Sequence, residues 1–144
     1  NLPMYWNTTL TLFMKNHFTI TRDFLLELNF NITTENTADG IMVVQKENSG
    51  IKNLILGIAP PILIIEQFIF TINNQSEKIF KSLLQKNRDI IHGAFVLDDT
   101  GKKVIFRDTL QIENLDLNEL EGSLNSLSLL MSEYSEQIIE FSKY

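Results

Sequence analysis

Toward the C-terminus, apolar residues fall at Leu117, Leu120, Leu124, Leu127, Met131, Tyr134, Ile138 and Phe141. The spacing alternates three and four, which places all eight side chains on one face of a helix. Asp116 and Glu119 form a capping pair at its start. The pattern predicts one continuous helix, about 40 Å long, that ends near Lys143. An isolated helix is marginal in water, so this one must dock on other elements. The seven-residue period also fits a coiled-coil seam, but Leu129, Leu130 and Ile139 widen the stripe toward a globular packing face.

Just upstream the period changes to two. Gly93-Ala-Phe-Val-Leu97, a turn at Asp98-Asp-Thr-Gly101 and the run from Lys103 to Ile112 read as a β-hairpin. Val104, Phe106, Leu110 and Ile112 point inward, while Arg107, Thr109 and Gln111 point outward. Residues 30–34, 41–46 and 51–58 are three shorter strands, with turn signals at Asp39-Gly40 and Asn48-Ser-Gly50. Tight turns between them make the meander antiparallel.

Residues 62–72, after Pro60-Pro61, admit two readings. Proline suits a helix start, whereas β-branched and aromatic enrichment favours a long strand, and strand is preferred. Its faces are Ile62, Ile64, Phe68, Phe70, Ile72 and Leu63, Ile65, Ile69. Both are apolar, so both should be covered.

A first helix is expected over residues 10–28, with Phe24, Leu25 and Leu28 on its apolar edge. A second runs to about residue 89, with Asn74 as its cap, Glu77 reaching back, and Ile79, Phe80, Leu83 and Leu84 along it. Residues 1–20 read as an apolar leader and the start of the first helix, and residues 21–144 as the domain proper. The order is α-βββ-β-α-ββ-α. That is an α+β single domain, a twisted antiparallel sheet with three helices.

Composition narrows the function classes. The chain of 144 residues carries a formal net charge of -6, which disfavours a phosphate backbone as partner, so no nucleic acid is expected. Lys102-Lys103 sits at a turn and reads as a solvated tip. Cysteine is absent, which removes disulfides, thiolate metal sites and cysteine nucleophiles together and is compatible with a cytoplasmic location. The apolar stretch 54–72 is split by Pro60-Pro61 and contains Glu66-Gln67, so no membrane span is expected, since one needs about 20 uninterrupted apolar residues.

Candidate chemistry is sparse. His17 and His92 lack a second ligand at metal-binding spacing, and Asp98-Asp99 occupies a turn that favours aspartate for its geometry. Gly101-Lys102-Lys103 lacks the upstream glycine and following hydroxyl of a phosphate loop. Glu66 inside an apolar strand is the one polar oddity. It reads as a carboxylate paired with Arg88 or Arg107, as an interface residue, or as a group of shifted pKa. The expectation is a protein that is not an enzyme and has no cofactor and no metal.

Several segments carry a family resemblance. They are Gly50-Ile-Lys-Asn-Leu54, Pro61-Ile-Leu-Ile-Ile-Glu-Gln67, Leu83-Leu-Gln-Lys-Asn-Arg88, His92-Gly-Ala-Phe95, Val104-Ile-Phe-Arg-Asp-Thr-Leu110 and Asn114-Leu-Asp-Leu-Asn-Glu-Leu120. From about Thr21 onward the chain resembles the YbjN-type domain family, whose fold is similar to the class I chaperones of type III secretion. At Gly57-Ile-Ala-Pro60 it is apolar where relatives carry acidic residues. The resemblance implies a twisted antiparallel sheet with three helices, often dimeric, with no catalytic residues to carry over. Its wider fold group holds client segments, partly by adding client backbone to a sheet edge.

Together these readings predict a chaperone-like protein-binding module that pairs with itself as a homodimer and holds an unidentified protein client. The apolar surplus of residues 62–72 nominates Leu63, Ile64, Phe68 and Phe70 for dimer or partner contact. Trp6, Phe13 and Phe18 are the candidates for client contact. The alternative is a regulatory or sensory module that binds a folded signalling partner.

Overall fold

The structure, a computed structural model, describes residues 4–74 and 77–143, with side chains from residue 8 onward. Helix α1 (Met4–Glu27) leads into strands β1 (Asn31–Asn36), β2 (Ile41–Lys46), β3 (Ile51–Ala59) and β4 (Ile62–Thr71). Helix α2 (Glu77–Asn87), strands β5 (Ala94–Leu97) and β6 (Lys103–Gln111), and helices α3 (Leu117–Glu133) and α4 (Ser135–Ser142) follow. The six strands form one sheet in the order β1-β2-β3-β4-β6-β5, with every neighbouring pair antiparallel.

Residues 62–71 are a strand, and Ala59 pairs directly with Ile62, so Pro60-Pro61, joined by a cis bond, is a two-residue hairpin turn. α1 is a single helix. It ends at Asn29, whose φ of 65° lets the N–H of Phe30 reach the carbonyl of Leu25 and that of Asn29 reach Leu26. Asparagine tolerates this left-handed position better than most residues. Arg22 then ties the helix to β1 through an ion pair with Glu35 at 2.6 Å.

The expected last helix is instead two. Tyr134, at φ -108° and ψ 10°, ends α3 and begins α4. Beside the break the Ser135 hydroxyl donates to the backbone carbonyl of Ser132, at 3.4 Å. The bend keeps the apolar stripe facing inward: Leu120, Leu124, Leu127 and Ile138 are buried, and the Phe141 ring lies 6.1 Å from that of Phe70. Of the residues expected to widen the stripe, Leu130 is buried while Leu129 and Ile139 are exposed. Asp116 caps α3 as expected, its carboxylate accepting from the N–H of Glu119 at 2.8 Å.

The helices pack against the sheet: α1 on β1 and β3, α2 on the edge strand β5, α3 on β6 and α4 on β4. Leu25, Met42, Val44, Leu54, Leu56, Leu63, Ile65, Phe106 and Leu127 fill the layer between. Gly93 is required there, because a Cβ at this position (φ 84°) would meet Phe106 Cζ at 2.4 Å. Asp108 accepts a 2.6 Å bond from the buried Ser123 hydroxyl, which ties β6 to α3.

Candidate protein-binding surface

Strand geometry sends alternate side chains to opposite faces, and on β4 the two fates differ sharply. Leu63 and Ile65 are fully buried under the helices, whereas Ile64 and Glu66 are half-buried and Phe68 is 51 % exposed. The pairing register assembles these outward positions into rows across the sheet. Ile41, Gly57, Ile64 and Thr109 form one row, and Val43, Ile55, Glu66, Arg107 and Ala94 the next. A third joins Phe68, Ile105 and Val96. Ile55 is 46 % and Ile41 39 % exposed, so an aliphatic face lies open on the side away from the helices.

Glu66 and Arg107 sit in the middle of that face and pair at 2.7 Å, one of the partnerships expected from the sequence. The pair is partly solvated, so its contribution to stability is under about 1 kcal/mol. It nonetheless leaves the centre of the face electrically neutral.

The predicted contact residues divide. Ile64 and Phe68 lie on the open face. Leu63 and, at 3 % exposure, Phe70 lie in the core instead, out of reach of any partner while the domain is folded. Phe70 was assigned the same face as Phe68 by strict alternation. A register shift between Phe68 and Phe70 inserts one residue and turns Phe70 inward. Of the predicted client contacts, Phe18 is also a core residue at 3 % exposure, and Phe13 is half-buried with its ring 4.2 Å from that of His17. The side chain of Trp6 lies outside the described residues. α1 exposes Leu10, Leu12, Ile20 and Leu26, and β2 and β3 supply the exposed Ile41 and Ile55, which the sequence analysis did not single out. The alternation of residues 41–44 and 54–58 carried the latter signal.

The two sheet edges also differ. At β5, the Asn87 side chain pairs with the backbone of Phe95, accepting from its N–H at 2.7 Å and donating to its carbonyl at 3.1 Å. The amide imitates a neighbouring strand and blocks strand addition at that point. β1 is the opposite edge.

No reaction centre emerges among the described residues. An open groove of about 330 Å³ between α2 and β5 is lined by Phe80, Leu83, Leu84, Asn87, Phe95, Val96 and Leu97. A second, of about 280 Å³, lies against α3 beside Ile91, His92 and Leu129. The Asp98 carboxylate is committed to its turn. The N–H of Lys103, the Thr100 hydroxyl and the N–H of Lys102 donate to it, which holds its pKa below the ordinary value although it is solvent-exposed. Among the described residues, no group of three or more His, Asp or Glu side chains could hold a metal ion, and no helix is long and apolar enough to cross a membrane.

A six-stranded antiparallel sheet with helices on one face and an aliphatic surface on the other defines a scaffold of the secretion-chaperone type. Residues 14–144 match the model of the CesT_Tir_1 family, and the chain belongs to that family. Solved structures share the fold. A chain of the HopA1–SchA chaperone–effector complex superposes with a TM-score of 0.62 at 16 % identity, covering 85 % of this chain and 97 % of that one. YbjN from E. coli, described as a putative transcription regulator, gives 0.63 at 11 % identity, covering 83 % and 91 %. The Yersinia pestis type III secretion chaperone SycH, in complex with a fragment of YscM2, gives 0.54 at 18 % identity, covering 88 % and 99 %. Comparison with curated proteins finds no match.

Proposed function

We propose that this protein is a non-enzymatic, cytoplasmic, chaperone-like module that acts as a homodimer and holds a segment of a client protein. One observation carries the reading. Among the described residues the domain buries one apolar core and still leaves Ile41, Ile55 and Phe68 exposed and Ile64 half-buried on its other face. An apolar patch of this extent on a folded domain marks an association surface. Membership of the CesT_Tir_1 family and the likeness to structures of chaperone–effector complexes support the same reading. The exposed aliphatic side chains of α1 give the client a surface separate from the sheet.

The test uses an unfolded probe, reduced and carboxymethylated lactalbumin. Stoichiometric protection of the probe from trypsin, lost when Leu12 and Leu26 are both replaced by Ser, is the expected result. Undiminished cleavage at tens of micromolar would defeat the client-holding reading and favour a regulatory module that recognises a folded partner.

A further inference from the structure

The groove between α3 and the α2–β5 loop shares no residue with α1 or with the open face of the sheet. One wall is a stripe along α3 from Gly122 through Leu129 to Glu133, about 16 Å or three helical turns. The loop supplies Ile90, Ile91 and His92 opposite it, and the Ser126 hydroxyl donates to the carbonyl of His92 at 3.0 Å, which fixes the two walls together. Ile91 is 88 % exposed, more than any other large hydrophobic residue described, and Leu129 is 59 % exposed. An apolar side chain standing alone in water is ordinary, whereas two that line one preformed groove mark a place for a partner's apolar side chains.

Charge identifies the occupant. From Glu113 to Ser142 the chain carries seven carboxylates and neither lysine nor arginine, while its other eleven acidic side chains are matched by twelve basic ones. The net charge of -6 therefore resides on α3, α4 and the turn before them. Among the described residues, none of those seven carboxylates forms an ion pair. On the loop side Arg88 stands next to Asp89 in sequence, and Lys86 donates to the Ser82 hydroxyl and lies over the Tyr134 ring, so the helix wall sets the sign of the field. We propose that this groove takes an amphipathic helical segment of another protein, apolar on the side it buries and carrying lysine or arginine on its flanks. Three turns of such a helix match the length of the α3 wall, with Ile91 and Leu129 packing against its apolar stripe. Its basic flanks would meet Glu133 and the unpaired acidic side chains beyond it. A second copy of this chain is disfavoured here, because it would bring the same carboxylates to the groove. The site goes beyond the client-holding reading and does not depend on it.

The experiment is fluorescence anisotropy of labelled mastoparan, a short basic peptide that folds into an amphipathic helix on apolar surfaces, titrated with the full chain. Wild type should bind it with a dissociation constant of tens of micromolar or tighter in about 50 mM salt, and about tenfold more weakly in about 0.5 M salt. Ile91→Ser combined with Leu129→Ser should weaken binding about tenfold or more. Glu133→Gln combined with Asp89→Asn should weaken it severalfold and reduce the salt dependence. Phe68→Ser, and Leu12→Ser combined with Leu26→Ser, should leave it unchanged. Circular dichroism checks that each variant is folded, and Ile91→Ser alone serves if the double variant is not. Absence of binding to wild type at about 100 μM, or binding that the groove variants leave intact, overturns the site. Binding lost in the α1 or Phe68 variants instead places the peptide elsewhere and overturns it equally. The same affinity for mastoparan with its lysines replaced by glutamine overturns the basic character of the occupant. Protection of unfolded lactalbumin is read separately, so the client-holding reading stands or falls on its own test.

Discussion

The two faces of β4 make the sharpest contrast in the molecule. Leu63 and Ile65 lie under helices and are fully buried, while Ile64 and Phe68, one or a few residues away and no less apolar, face outward. Burial of a large aliphatic side chain contributes about 1.5–3 kcal/mol, and on the first face that gain is already realised inside one chain. On the second it is not realised within the domain. Hydrophobic residues of one strand thus meet two environments, and the position of the helices separates them.

The contrast can be broken or sharpened by substitution. The largest effect is expected from Leu63→Ala, which leaves a cavity under the helices and should lower stability by about 2–5 kcal/mol in urea denaturation. Ile64→Ala, measured on the dissociated monomer, should cost under about 1 kcal/mol, as expected for a partly solvated site. Equal losses at the two positions would mean that the open face is covered within the monomer. A smaller effect is expected at the centre of that face, where Glu66→Gln breaks the pair with Arg107 and should change monomer stability by about 1 kcal/mol or less. The smallest lies far from both faces. The folded-state pKa of Asp98 is depressed, so its contribution is present at neutral pH and is lost only as pH falls below the ordinary value of 3.8 and through the folded one. Stability curves of Asp98→Asn and wild type should therefore run parallel above pH 5 and converge in acid; divergence in acid would refute the assignment.

Much of the architecture was legible from periodicity. The hairpin around Asp98, the cap at Asp116 and the preference for a strand over residues 62–71 follow from patterns spanning a few residues, whereas the partner of Glu66 was left open between Arg88 and Arg107 until the register set it beside Arg107. The candidate surface was half legible. Ile64 and Phe68 were reached through the apolar excess of their strand, but Leu63 and Phe70 were grouped with them because periodicity does not say which face a helix will cover. Phe70 was further misplaced because a bulge breaks strict alternation without a signature residue. Ile41 and Ile55 went unnoticed because each is unremarkable alone and becomes part of a surface only when the register aligns it with β4. The break at Tyr134 was hidden by a stripe that continues across it.

What the sequence determined by itself was the strands and helical regions, their order and an apolar content in β4 too large for a single face, because these depend on local spacing and side-chain type. The tertiary structure decided which face of β4 is covered and which is left open, and with that which half of those side chains became core and which became surface. That choice is made by contacts between residues far apart along the chain, and local pattern carries no record of them.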